Sequence, residues 1–458
     1  VVPLLVILVL MVGFRWSGSK AGAAGWATSL VLAVLWFGVG PRALIWAQIH
    51  GAFRAGYVLY IIWGALLFFR VTEADGTLNA VSEMLQRLAP GRILQVLLLG
   101  WGFTSFLQGV GGFGVPVAVV APILVTLGFP ALDAVVIASL GLAWAVSFGS
   151  LGASYEALIS ATALEGGMIA PTMAIILGLV CLLVGFTVLW IAGGNRLPRR
   201  ELGPMWTMAF TMAAVQYVAV RIGIENIAAM LGAFAGLIVG GIWALARRRT
   251  REAHEAAPLS AREALAKVLP YLILIAVIFA VNFIPFLNDV LNRWKLFVTV
   301  PSLTGGNGTQ IPAGQTKRIS VFGHPGAQLI YAALITLLLA KLHPTQWHSL
   351  PEGSGTTIRK GVLKSGLKST LGILTMMAMA TTMQIAGMVS ALATSMALLA
   401  GQFFPIIAPW IGALGAFMTG SNTNSNVLLG AFQLQVAQEL NLTVPWVLAL
   451  HNAGAAVG

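Results

Sequence analysis

Apolar stretches close to the length of a bilayer-crossing helix, about 20 residues, recur along this chain and constrain its fold more than any other feature. They lie at 1–14, 22–39, 43–69, 92–108, 131–152, 168–193, 204–221, 226–246, 268–287, 326–342, 364–386, 402–419 and 443–458. Inside a hydrocarbon core every backbone N–H and C=O must be paired within the protein, so only helices and closed barrels span it. Barrel strands alternate polar and apolar residues, and these stretches do not. Charged residues make up 9% of the 458, against about 25% in a soluble domain. So few charges cannot cover a water-facing surface. The predicted fold is all-α and polytopic, with the lipid bilayer as its solvent.

The net charge of +12 does not point to nucleic acid, because the basic residues sit in short loops between apolar spans. Arg196, Arg199 and Arg200 mark one side as cytoplasmic, as do Arg247, Arg248, Arg249, Arg251, Arg262 and Lys267, and Arg359, Lys360, Lys364 and Lys368. This is the positive-inside pattern, and it suits an anionic leaflet. The loop 296–316, with Thr304-Gly305-Gly306-Asn307-Gly308, lacks such a cluster and is predicted outside. The single cysteine, Cys181, excludes an internal disulfide and a thiol metal site. Histidines 50, 254, 324, 343, 348 and 451 are dispersed. There is no H-E-x-x-H, Walker A or G-x-S-x-G motif. No enzyme, metal or cofactor is predicted, and this chain alone cannot use ATP. Val1 is not Met and the last residues fall in an apolar, small-residue stretch, so part of a longer protein is expected. Val1 to Phe14 lacks the basic leader of a cleavable signal.

Two segments interrupt the apolar pattern. The segment 109–128 opens with Gly109-Val110-Gly111-Gly112-Phe113-Gly114-Val115-Pro116, which cannot sustain regular helix. Pro116 suits the first turn of a helix starting there. The segment 420–438 opens with Ser421-Asn422-Thr423-Asn424-Ser425-Asn426, set between apolar Trp410 to Met418 and Val427 to Phe432. A buried amide or hydroxyl without a partner costs roughly 2–7 kcal/mol, so six of them would not face lipid. They are expected to line a cavity where a polar solute supplies partners. Ser425 or Asn426 is a natural N-cap. Two helix amino ends meeting near the midplane would present N–H groups and partial positive charge to a small carboxylate. For each glycine the alternative is close helix packing.

The halves resemble each other. A shift of 311 lays 69–130 over 380–441, pairing Gly76 with Gly387, Ala80 with Ala391, Leu88 with Leu399, Phe106 with Phe417 and Gly109 with Gly420. Each copy reads span, amphipathic interfacial piece (73–90 or 388–401), span, broken segment, span. The loop charges orient span 43–69 opposite to 364–386, so the repeats are predicted to be inverted, a common transporter architecture. The chain divides into 1–203 with the first repeat, 204–325 as connecting helices, and 326–458 with the second.

Binding is expected at Gly111, Gly112, Phe113, Gly114, at Ser421 to Asn426, and at Asn452. His451 leads the proton-carrier candidates, since the reference histidine pKa of about 6.5 lies closest to neutral; a neutral histidine bonded to a carbonyl is the alternative. His50 and Arg54 share one helix face. Intramembrane ionisable groups are functional candidates, and Arg54 either attracts an anion or pairs with a carboxylate. Asp133 is a further proton candidate, although it, Glu156 and Glu439 fall near span ends, where an interface position is the simpler account. Gln108, Ser147 and Ser150 form a second tier.

Several motifs resemble the bacterial lactate permease family: Gly112-Phe113-Gly114-Val115-Pro116-Val117-Ala118 through Ala121-Pro122 and Leu127-Gly128-Phe129-Pro130; Ala143-Trp144-Ala145-Val146-Ser147-Phe148-Gly149-Ser150-Leu151-Gly152; Gly420 to Asn426; and His451-Asn452-Ala453-Gly454. The similarity runs over most of the chain, and the family pattern continues past its end. The resemblance implies a secondary transporter with inverted repeats and re-entrant hairpins. It implies import of lactate and related 2-hydroxy monocarboxylates such as glycolate, with protons, across the bacterial inner membrane. Sodium in place of the proton stays open, as does a homodimer. The rivals are a sodium-coupled carboxylate carrier or ion antiporter on a similar scaffold, and then a polytopic membrane enzyme or channel.

Overall fold

The computed structural model describes residues 1–88, 91–112, 114–194, 196–249, 261–308, 310–311, 313–342, 350–351 and 353–458. The chain opens with α1 (Val2–Leu8), extended by a π-helical turn, then α2 (Gly18–Leu35), α3 (Pro41–Ala74) and the amphipathic α4 (Thr77–Leu88). Next, α5 (Arg92–Val96), a π-helical stretch Leu97–Phe103 and α6 (Thr104–Val110) form one crossing. After them come α7 (Val115–Thr126), α8 (Ala131–Leu142), α9 (Ala153–Thr162), α10 (Gly166–Ala192), α11 (Leu202–Arg221), α12 (Ala228–Arg249), α13 (Ala261–Phe283) and α14 (Pro285–Leu291). The second half holds α15 (Pro325–Leu342), α16 (Ser354–Ile385), α17 (Met388–Ala400), α18 (Phe404–Thr419), α19 (Asn422–Glu439) and α20 (Val444–Val457). Among the described residues seven helices are long and apolar enough to cross a membrane, and a bent pair makes an eighth.

The repeat is visible in the element boundaries. Ala74 and Ile385 end α3 and α16, and Thr77 and Met388 begin α4 and α17, each pair 311 residues apart. Between them Gly76 and Gly387 both take φ +78°, a left-handed corner that glycine adopts without a Cβ penalty. The inversion is equally direct. Gln48 Nε2 donates to Thr382 Oγ1 at 3.0 Å and Trp63 Nε1 donates to Thr370 Oγ1 at 3.0 Å. Further along, Gly361 lies against Arg70. Numbers rise on α3 as they fall on α16, so the equivalent helices run antiparallel.

Three local expectations are corrected. The apolar span 131–152 is not one helix: it stops at Leu142, resumes at Ala153 and bends by 45°. Its alanine and leucine content conceals Gly149 and Gly152, and Ser150 (φ +48°) and Leu151 (φ +54°) turn left-handed between them. The polar hexapeptide is broken only at Gly420 and Ser421, and Asn422 onward is regular helix. Its cap is therefore Ser421, not Ser425 or Asn426, with Ser421 Oγ accepting from Asn424 N at 3.4 Å. Finally, the long loop carries an irregular hairpin: β1 (Lys295–Leu296), β2 (Thr299–Val300) and β3 (Leu303–Thr304) go out, and β4 (Gln310–Ile311), β5 (Gly314–Gln315) and β6 (Ile319–Ser320) return. They pair antiparallel in nested order. The hairpin's foot docks on α3, where Tyr60 Oη donates to the Val321 carbonyl at 2.8 Å.

Candidate functional site

The hexapeptide forms the first turns of α19. Asn422 and Asn426, four residues apart, share a face, and that face meets the break between α8 and α9. Asn422 Nδ2 donates to Ser147 Oγ at 3.4 Å, and Thr423 Oγ1 lies 2.8 Å from Ser154 Oγ. Asn426 Nδ2 donates to the Ser154 carbonyl at 2.8 Å and to Asn452 Oδ1 at 3.0 Å. Asn452 Nδ2 in turn points at Met173 Sδ on α10, 3.7 Å away. Ser425 faces elsewhere: its Oγ donates to the Gly412 carbonyl at 2.9 Å and ties α19 to α18.

The glycine-rich segment reaches the same break from the other side. Gly112 (φ +53°) packs so closely on Ser150 that a Cβ there would collide with Ser150 Oγ, with Gln108 Nε2 beside it. Gly111 rests on the Phe69 ring of α3. Gly114 is the left-handed N-cap of α7 and Pro116 stands in its first turn, as the sequence indicates. Phe113 lies outside the described residues. The two predicted segments are thus joined through 147–152, with Ser147 holding Asn422 and Ser150 holding Gly112. Two of the second-tier residues, Ser147 and Ser150, stand in this break. Their polarity marked them in the sequence, but the break itself did not show, because Ser-Leu-Gly inside an alanine-rich run reads as helix. The left-handed backbone of Ser150 and Leu151 costs of order 1–3 kcal/mol per residue and persists only where surroundings enforce it.

The site is polar, enclosed and incompletely satisfied. Asn422, Thr423, Asn426 and Asn452 are buried, while Ser421 and Asn424 are half-exposed. Among the described residues Asn422 Oδ1, Asn424 Oδ1 and Asn426 Oδ1 have no hydrogen-bond partner. Asn422 and Thr423 head α19, where the first N–H groups of a helix have no intrahelical acceptor. Unpartnered acceptors and helix-terminal N–H donors therefore stand close together at the start of α19.

The other ionisable candidates are dispersed. Arg54 Nη1 donates to Gln384 Oε1 at 2.9 Å, and Gln384 Nε2 reaches the Ala161 carbonyl of α9 at 2.9 Å. Among the described residues no carboxylate pairs with Arg54. His50 lies half-buried one turn earlier on α3. Asp133 sits in the first turn of α8, away from the break that ends that helix. His451 is fully buried on α20 beside Asn452, and neither ring nitrogen has a partner among the described residues.

Inverted halves, broken helices and an enclosed, unsatisfied polar site at their meeting point define a multi-pass membrane transporter. Within that class the chain belongs to the L-lactate permease family, whose pattern it matches over residues 1–458. It is similar to the L-lactate permease of Streptococcus iniae, 26% identical over 458 residues, which cover 99% of this chain and 93% of that protein. It is also similar to a putative L-lactate permease of Haemophilus influenzae, 25% identical over 476 residues, covering 100% and 88%. Among solved structures it resembles the Alcanivorax borkumensis YdaH transporter, with a TM-score of 0.47, 12% identity and coverage of 98% and 87%.

Proposed function

We propose that this protein imports lactate and related 2-hydroxy monocarboxylates, glycolate among them, with protons across the bacterial inner membrane. The carrying observation is the amino end of α19, where N–H donors stand beside the unpartnered amide oxygens of Asn422, Asn424 and Asn426. The carboxylate accepts from the helix terminus and from amide Nδ2 groups. The 2-hydroxyl donates to an amide oxygen that the protein leaves open. A site that hydrogen-bonds a substrate hydroxyl discriminates strongly against analogues lacking it, which favours 2-hydroxy acids over propionate or acetate. Arg54, with no carboxylate partner among the described residues, contributes positive charge that attracts the anion. The names of the curated relatives support the same substrate.

Energetics support cation coupling. Moving one anion inward against a negative-inside potential costs about 2.3 kcal/mol per 100 mV. One accompanying proton cancels that charge. Sodium is the second reading, because the free amide oxygens are also hard ligands suited to Na⁺. Counterflow of labelled L-lactate in proteoliposomes tests the substrate, with glycolate, propionate and a dicarboxylate as competitors. Glycolate is expected to compete and propionate to compete weakly. Absence of lactate counterflow sinks the reading, and accumulation that follows a sodium gradient at fixed pH transfers it to sodium.

A further inference from the structure

Glu156 stands in the first turn of α9, two residues beyond Ser154, whose hydroxyl and carbonyl hold Thr423 and Asn426. Glu156 Oε2 lies 3.7 Å from Lys317 Nζ, and the two side chains are only 12% and 27% exposed. Lys317 comes from the hairpin, between β5 and β6, and its ammonium sits 4.3 Å over the Tyr57 ring of α3. The groups facing this pair can be named from every side. Tyr57 comes from α3, Tyr155 from α9 itself and Glu225 from the turn before α12, with Tyr155 Oη 3.5 Å from Glu225 Oε1. His324 packs edge-on against Tyr57 at 4.3 Å. Neither α16 nor α19 carries a charged side chain beside it: Glu439 ends α19, and the basic residues of α16 lie in its first half.

An ion pair taken out of water gains little, since the desolvation of two charges offsets their attraction. Such a pair switches readily. A proton added to Glu156 Oε2 leaves a neutral carboxylic acid and an ammonium without its counter-ion. An incoming carboxylate supplies that counter-ion, so the two events favour each other. His451 offers no such exchange: its ring has neither a hydrogen bond nor an ion pair among the described residues, and burying an uncompensated charge is costly.

We propose that Glu156, rather than His451, takes the co-transported proton, and that Lys317, released from it, receives the carboxylate of the entering substrate. On the far side the proton leaves to water and the pair re-forms. The inference rests on the proton-coupled carboxylate reading above and deepens it.

The test compares wild type, Glu156→Gln, Lys317→Met and His451→Asn in proteoliposomes, by lactate counterflow and by accumulation driven by an imposed pH gradient. Glutamine mimics the protonated acid. Glu156→Gln should keep counterflow within about threefold of wild type while accumulation falls at least tenfold. Wild-type accumulation by Glu156→Gln overturns the proposal, as does loss of both activities in a variant that elutes as folded protein. The same signature from His451→Asn in place of Glu156→Gln also overturns it. If Glu156→Gln does not fold, Lys317→Met decides: the KM for lactate should rise and the pH profile of the remaining uptake should move alkaline by about one unit, and an unchanged KM or an unmoved profile refutes the assignment. A wild type that shows no pH-driven uptake fails the underlying reading instead, so the two failures are distinguishable.

Discussion

Asn424 and Asn426 are two residues apart on α19 and face different surroundings. Asn426 is fully buried and donates to both Ser154 O and Asn452 Oδ1. Replacing it with alanine leaves the buried Asn452 Oδ1 without its donor, at about 1–3 kcal/mol, and takes from the Ser154 carbonyl the bond it accepts beyond the helix of α9. Asn424 is half-exposed, and its amide oxygen has no protein partner among the described residues. Asn424→Ala should therefore keep the melting temperature within about 2 °C of wild type, a shift on the order of 0.5 kcal/mol, yet cut lactate uptake several-fold. Asn426→Ala should lower both. Thermal unfolding in detergent beside initial uptake rates separates the two, and equal stability losses would remove the distinction. The polar run was legible as a candidate site from composition alone, because six uncharged polar groups at membrane depth need partners. The division of labour was not. It depends on helical register, which places Ser425 against α18 and Asn422 with Asn426 against Ser147 and Ser154, and register follows from where Ser421 caps.

Elements were legible where periodicity and punctuation agree, as at Gly114 and Pro116 before α7, whereas the corner at Gly76 fell inside the predicted piece 73–90. The break between α8 and α9 was not legible, since Ser150 and Leu151 take left-handed backbone that neither residue type announces. Tertiary packing imposes it, through Gly112 on one side and Asn422 on the other. The hairpin was likewise invisible beyond its turn-forming residues, and its docking has a pH-sensitive foot. His324 precedes α15, stacks on Tyr60 at 4.7 Å and accepts the Gly326 N–H through Nδ1 at 3.1 Å. Burial, aided by Lys317, pushes its pKa down to about 3. The unfolded chain takes up a proton there near the reference value of about 6.5. The folded state binds fewer protons in between, so stability is full above about pH 6.5 and falls as pH drops toward 3. The slope from this one group approaches about 1.4 kcal/mol per pH unit. Melting curves from pH 7.5 to 4.5 should show the loss, and His324→Gln should flatten it. A slope unchanged by that substitution would place the sensitive group elsewhere.

The whole molecule couples two copies of one topology in opposite senses, and that arrangement explains why neither copy suffices for the site. The α19 amino end belongs to the second copy, while the 147–152 break and the α7 cap belong to the first, so the candidate site lies between the two copies. Loop charges disclosed the inversion in the sequence, because orientation depends on where basic residues cannot cross; the antiparallel packing of α3 on α16 is the same fact in space. This orientation predicts a labelling pattern that is easily read, since the only native thiol, Cys181, is buried. Exposed Ala313, in the hairpin, and exposed Lys360, near the start of α16, should lie on opposite faces of the membrane. With Ala313→Cys, intact cells stripped of any outer envelope should react with a membrane-impermeant maleimide. With Lys360→Cys, reaction should wait for permeabilisation. Reaction of both in intact cells would refute the assigned sidedness, and the reverse pattern would turn the transporter over, making Lys317 the cation that meets lactate leaving the cell rather than entering it.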